Sequence, residues 1–190
     1  MKTDRRMGLK TLLIIALLFI LTGCFTRSYL VSFESNGGTN IKDVLVPVGE
    51  LLEKPDDPVK EGYVFAGWFM DMDLTQRFDF DKPVEKDMTL YAKWNPARYT
   101  ITWDSMGGSE IEPSEVSYKG AISAPQDPVR EGYVFAGWYY EPEYQNLFDF
   151  RTLMPARNFT LYARWTLGEF KVSFETYGGS VIEDVEGKYG

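Results

Sequence analysis

The 190-residue sequence contains no histidine and a single cysteine. Without imidazole it lacks the side chain that most often serves as a base or metal ligand near neutral pH. One thiol makes neither an internal disulfide nor a cysteine cluster for zinc. A glycine-rich phosphate loop, a nucleophile elbow and metal-ligand spacing are missing as well. The sequence therefore predicts no enzyme: no catalytic residue, no metal and no cofactor. Basic residues are the minority, 20 Lys+Arg against 28 Asp+Glu, which argues against nucleic acid as a partner. What is plentiful is apolar material. Hydrophobic residues make up 44% and aromatics 16% of the chain, enough to build packed cores and too much for a disordered chain.

Long hydrophobic runs are also lacking. Residues 12–21 are continuously apolar and follow Lys2, Arg5, Arg6 and Lys10, offset only by Asp4. A basic start before a short apolar run is the pattern of a secretory signal peptide. Ten residues of helix cover about 15 Å, half of a hydrocarbon core of about 30 Å, so a stable transmembrane helix is not expected. The run ends in Leu21-Thr22-Gly23-Cys24. This resembles the bacterial lipobox, which implies cleavage between Gly23 and Cys24 and a diacylglyceryl group, such as one carrying palmitate, on the Cys24 sulfur. The reading is thus a signal peptide over residues 1–23 and a tether over 24–28. The protein is then held to the membrane by its lipid on the extracytoplasmic face, two or three acyl chains being enough for stable anchoring. Cleavage removes four bases and one acid and leaves 16 Lys+Arg against 27 Asp+Glu, a net charge of −11. An acidic ectodomain is repelled by anionic headgroups, so the acyl chains and not a basic patch would hold it.

The remainder is a repeat. The twelve residues from Asp57 to Trp68 (Asp-Pro-Val-Lys-Glu-Gly-Tyr-Val-Phe-Ala-Gly-Trp) recur from Asp127 to Trp138 with only Lys60 replaced, by Arg130. Phe78-Asp79-Phe80 returns as Phe148-Asp149-Phe150 at the same spacing of 70, and Leu90-Tyr91-Ala92-Lys93-Trp94 returns as Leu161-Tyr162-Ala163-Arg164-Trp165 at 71. A period of about 70 residues is long enough for a small autonomous domain. Repeat 1 spans 29–94 and repeat 2 spans 99–165. A third start, 170–190, lacks the later anchors, which predicts weak order and an open apolar hairpin face at Phe170, Val172 and Phe174.

Within a repeat the pattern reads as α+β. Tyr29, Val31 and Phe33 alternate with Leu30, Ser32 and Glu34, a period of two that predicts a half-buried strand. Asn36-Gly37-Gly38 suits a tight hairpin turn, with residues 41–48 returning as a second strand. Pro58 followed by Gly62 suggests a short helix or 3₁₀ turn. Residues 63–69 and 89–94 supply two more strands, and Gly67 inside the first of them suggests a bulge or a ring lying against bare backbone.

The Asn-Gly-Gly turn, the Pro-x-x-Pro-x-[Lys/Arg]-x-Gly-Tyr-x-Phe-x-Gly-Trp segment and the closing Leu-Tyr-Ala-[Lys/Arg]-Trp resemble the Listeria-Bacteroides repeat, also called the internalin B-repeat. The resemblance implies tandem compact β-grasp (ubiquitin-like) repeats. Each would be a mixed four-stranded sheet with one short helix, following an N-terminal signal helix. It also implies a bacterial cell-surface protein, often one with adhesion modules.

Trp68, Trp94, Trp138 and Trp165 could stack on sugars, but a repeat of about 66 residues needs large rings to fill its core, so they are assigned to structure. Positions that differ between the copies are better candidates for binding: Met70, Asp71 and Asp73 in one acidic loop, and Tyr140, Glu141 and Tyr144 in the other. Asp71 and Asp73 could open a calcium loop, but Gln76 and Lys82 stand where its glycine and final glutamate belong. Paired carboxylates such as Glu141 and Glu143 could in principle do glycosidase chemistry, but a solvated loop is the better reading. The functional expectation is a surface lipoprotein whose repeats contact an unknown protein or glycan. The alternative is a non-binding spacer that presents a further module.

Overall fold

The structure is a computed structural model that describes residues 27–189. The signal peptide expected over 1–23, its cleavage site after Gly23 and the lipidation site Cys24 lie outside the described residues. The chain divides into two compact units, one of residues up to Pro58 with Gly67–Lys93, the other of Val59–Ala66 with the residues from Trp94 onward.

Strands β1 (Ser28–Glu34), β2 (Val44–Pro47), β3 (Tyr63–Phe69) and β4 (Met88–Pro96) form a sheet of order β2-β1-β4-β3. Strands β5 (Arg98–Asp104), β6 (Ser114–Ser117), β7 (Tyr133–Tyr139) and β8 (Phe159–Leu167) form a second sheet of order β6-β5-β8-β7. Both sheets are mixed. The central pairs β1/β4 and β5/β8 run parallel, and the β1/β2, β5/β6 and β7/β8 pairs are antiparallel. β9 (Glu169–Val172) and β10 (Val185–Lys188) form a two-stranded antiparallel hairpin whose Phe170, Val172 and Phe174 are exposed.

The expected α+β class is overturned. Among the described residues there is no helix in either repeat, and the segment between β2 and β3, like that between β6 and β7, has no helical turn. The physical reason lies in the prolines. Pro55 and Pro58, and again Pro125 and Pro128, remove two N–H donors within what would be one turn, and each disfavours helical geometry in the residue before it. β2 and β3 occupy opposite edges of the sheet, about 14 Å apart at the usual strand spacing. Residues 48–62 cover that distance without a helix. Leu52 and Ile122, with Pro58 and Pro128, are buried and pin this crossover to the sheet. Gly62 and Gly132 do adopt positive φ, but in β-turns closed by Tyr63 N–H to Lys60 C=O and Tyr133 N–H to Arg130 C=O, each 3.1 Å.

The core of the second repeat is built from alternate residues of the parallel pair, Ile101 and Trp103 of β5 with Leu161 and Ala163 of β8. Ile122, Trp138, Phe148 and Met154 close it. In the first repeat the matching positions are Val31, Phe33, Leu90, Ala92, Leu52, Trp68, Phe78 and Val84, all buried. Gly137, at φ +115°, sits where the β7/β8 register shifts between Phe135 and Trp138. This is the bulge that an in-strand glycine suggests. In a regular strand two residues three apart point to opposite faces. The extra residue turns Phe135 and Trp138 to the same side, where their rings meet edge to face at 5.3 Å.

The Asn-Gly turn has the expected geometry, with Asn36 and Gly37 both at positive φ and Gly38 N–H donating to Ser35 C=O at 3.1 Å. The returning strand is shorter than expected, Val44–Pro47 rather than 41–48, because the turn lies inside a loop that continues to residue 43 before pairing begins.

Candidate interaction surface

Two buried tryptophans, Trp68 and Trp138, belong to the cores, and Trp165 packs at the margin of the second. Its indole N–H donates to Ser105 C=O at 2.8 Å. Trp94 meets Phe65 edge to face at 5.4 Å. These four rings are engaged in the fold, not displayed as a shelf for sugars.

The loops after β3 and β7 share one design. Met70 N–H donates to Gln76 C=O at 2.8 Å and Tyr140 N–H to Asn146 C=O at 3.0 Å, so each loop is pinched at its base. An acidic residue then staples it from within. The Asp71 carboxylate accepts from the Thr75 and Gln76 N–H groups, both at 3.0 Å, and from the Thr75 hydroxyl. The Thr75 hydroxyl, followed by the Gln76 N–H, holds Asp71 below the usual carboxylate range. Glu141 plays the same part with other atoms, accepting from the Asn146 backbone at 3.2 Å and its side-chain amide at 2.8 Å. Both carboxylates are thus bound within their own loops. Asp73 is exposed. Tyr144 takes a positive φ of 59° and packs on Tyr139 at 5.6 Å, with the Arg164 guanidinium over both rings. In the first repeat Lys93 substitutes for Arg164, lying over Phe69 and donating to Leu74 C=O at 3.3 Å. Among the described residues no three His, Cys, Asp or Glu side chains converge as a cation site would require.

Beside each stapled loop lies a shallow depression. In the first repeat it measures about 360 Å³ and is lined by Met70, Phe78, Met88, Arg77, Lys82 and Lys86 among others. In the second it is wider, about 780 Å³, and its lining includes Tyr140, Glu141, Arg157, Asn158 and Phe159. Allowing for the one-residue insertion, Met88 matches Phe159 and Lys86 matches Arg157, so the two depressions occupy the same place in the two folds. Tyr140 meets Phe148 edge to face at 5.3 Å and lies tilted over Phe159 at 6.3 Å, forming a small aromatic floor where the first repeat has two methionines. Of the residues expected to bind, Met70, Tyr140 and Glu141 line these depressions. Asp71, Glu141 and Tyr144 shape the loops. Met88, Phe159, Lys86 and Arg157 were missed, although their divergence between the copies at the 71-residue offset was visible in the sequence.

The family model of the Listeria-Bacteroides repeat domain matches residues 29–93 and 99–164. Two proteins of Evansella cellulosilytica named as membrane proteins, one of them as Gly-rich, are each 40% identical to the chain over 85% of its length. Internalin H of Listeria monocytogenes is 37% identical over 74% of the chain. The matched region spans only 24%, 19% and 26% of these three relatives, so the chain corresponds to about a quarter of each.

Proposed function

Since the chain belongs to the Listeria-Bacteroides repeat family, we propose that it is a bacterial cell-surface lipoprotein whose repeats contact a protein or a glycan through the depressions beside the stapled loops. One observation carries this reading. Between the repeats the core positions exchange one apolar residue for another. The depression changes its chemistry, from Met70 and Met88 with Lys82 and Lys86 to Tyr140 and Phe159 with Arg157 and Asn158. Packing restrains the first set of positions. The second set meets the fold along one side only, Phe159 against the core and Tyr140 against Phe148, and its other side is open to a contact from outside. An aromatic floor rimmed by hydrogen-bonding groups suits a sugar ring or a peptide side chain. Location on the outer face of the membrane through a diacylglyceryl thioether on Cys24 rests on the sequence, and the names of the relatives, two membrane proteins and an internalin, are in keeping with it.

The reading gives the chain no enzymatic role: of the carboxylates that line the depressions, Glu141 is hydrogen-bonded to its own loop and Asp79 to its own turn. The same stapling favours a second reading, a spacer that binds nothing and presents another module, since a loop rigid by itself needs no ligand. The full-length chain in detergent micelles is to be tested against immobilised peptidoglycan and, separately, immobilised surface proteins of a eukaryotic cell. Contact predicts saturable binding to one of the two that falls at least tenfold in the double variant Tyr140→Ser, Phe159→Ser. Absence of saturable binding to both leaves the spacer. Intact-mass measurement of the protein from native membranes tests the anchor, which predicts a chain beginning at a lipid-modified Cys24.

A further inference from the structure

Val59–Ala66 and the residues from Trp94 onward form one compact unit, and within it a single small arrangement occurs twice. Gly62 and Gly132 are the third residues of their β-turns, both at φ +78°. The Gly62 carbonyl accepts from Ala97 N–H at 2.9 Å, and the Gly132 carbonyl accepts from Gly168 N–H at 2.8 Å. Ala97 and Gly168 are the one-residue links between β4 and β5 and between β8 and β9. Each link then accepts, through its own carbonyl, the N–H of a tyrosine: Tyr118 onto Ala97 at 2.7 Å and Tyr189 onto Gly168 at 3.1 Å. The tyrosine ring returns to the glycine where the pathway began. A Cβ on Gly62 would overlap the Tyr118 ring, and one on Gly132 would come within 2.9 Å of the Tyr189 ring. Glycine is therefore required twice at these positions, for its backbone angle and for the close approach of the ring. Tyr63, next in the chain, meets Tyr118 edge to face at 5.4 Å.

The first repeat supplies the contrast. Its corresponding backbone link exists, Val48 N–H donating to Arg27 C=O at 2.9 Å, but the residue is valine, and among the described residues no glycine turn stands before it. Tyrosine is thus found at the two positions that face a Gly-Tyr turn. If the ring served only its own strand, nothing would tie it to the presence of that turn.

We infer that the Gly-Tyr turn of each repeat is a receptor for the tyrosine that follows the second strand of the next repeat, β6 for Tyr118 and β10 for Tyr189, and that the partner it fits is a further module of the same kind bearing tyrosine at this position. The contact makes the opening of one repeat depend on the next, so the repeats are not independent beads. Lys60 and Arg130, held over the Tyr63 and Tyr133 rings at 4.7 and 4.0 Å, brace the receptor turns.

Amide hydrogen exchange of the full-length chain, read by mass spectrometry, tests this. Tyr118→Ala is expected to speed exchange about tenfold at residues 63–66 as well as in its own repeat, in line with loss of one aromatic contact. Tyr118→Phe, which keeps the ring, stays within twofold of the native protein. Tyr189→Ala acts in the same way on residues 133–136 and leaves 63–66 unchanged, and it decides the matter should Tyr118→Ala fail to fold. Acceleration confined to the repeat that carries the substituted tyrosine, or an equal effect of the phenylalanine variant, overturns the inference.

Discussion

The two complete repeats differ in opposite ways inside and out. Inside, Val31, Phe33 and Val84 of the first become Ile101, Trp103 and Met154 of the second, each one a larger apolar residue at the same place in the sheet. Added methylenes in a filled core usually cost stability unless neighbours give way. Here the enlargements lie in one cluster and share it with the unchanged Trp138, Leu161 and Ala163. Outside, Met70 and Met88 give way to Tyr140 and Phe159, and Asp87 to Asn158. Even there one role survives: the Asn158 side chain accepts from Thr100 N–H at 2.8 Å just as Asp87 accepts from Leu30 N–H at 2.8 Å. The repeats have kept an apolar side chain wherever the core needs one and altered the chemistry at the depression.

The largest break in this comparison should come from removing the central indole. Trp68→Ala and Trp138→Ala are each expected to cost about 3–5 kcal/mol in their own repeat, read as the loss of slow amide exchange across that sheet. A cost under about 1 kcal/mol at either site would mean that the cores are not sealed by these rings.

A smaller effect should be shared by the two in-strand glycines. Gly67 and Gly137 have φ of +118° and +115°, where any other residue is strained by about 1–3 kcal/mol. A Cβ at Gly137 comes within 3.0 Å of the Leu147 methyl and one at Gly67 within 3.1 Å of the Arg77 guanidinium, each the movable end of an exposed side chain. Alanine should therefore destabilise the two repeats about equally in denaturant unfolding. A clearly larger cost at either site would break the match.

The smallest effect concerns the turns after Phe78 and Phe148. Asp149 is lowered from its ordinary 3.8 to about 2, chiefly by hydrogen bonds from the Arg151 side chain and then from its backbone. In the first repeat Asp79 is lowered mainly by the Asp81 N–H, with Lys82 second. A carboxylate with a depressed folded value adds stability that is present above the unfolded value and is lost as pH falls through the folded one. The turn at Asp149 should thus hold at pH 4 and loosen as pH drops toward 2, with an effect small because both partners are exposed. Carboxyl carbon shifts followed by NMR should place Asp149 near 2, and Arg151→Lys should move it back toward 3.8. A native titration at the ordinary value would refute the pairing in solution.

Much of this was legible before the fold was known. The 70-residue period located both modules, alternation in residues 29–34 and 99–104 located strands β1 and β5, and the in-strand glycine of the repeat announced the bulge at Gly137. The helix was misread because Pro58 followed by Gly62 satisfies the local rules for opening and closing a helical turn. Those rules do not register that Pro55, three residues before Pro58, removes a second N–H donor and holds the chain extended. The acidic loops were found, but the use of Asp71 and Glu141 was not, since a carboxylate that staples its own loop and one that awaits a ligand look the same in a sequence.

The sequence by itself determined how many modules this protein has, which side chains fill them and where the backbone must bend, because repetition, alternation and glycine are properties of neighbours along the chain. Tertiary structure alone decided that Met70 shares a surface with Met88, that Tyr140 shares one with Phe159, and that a tyrosine closes on a glycine 56 or 57 positions before it. Those pairings arise only when the sheets and the links between strands bring distant segments together, and no local preference encodes that meeting.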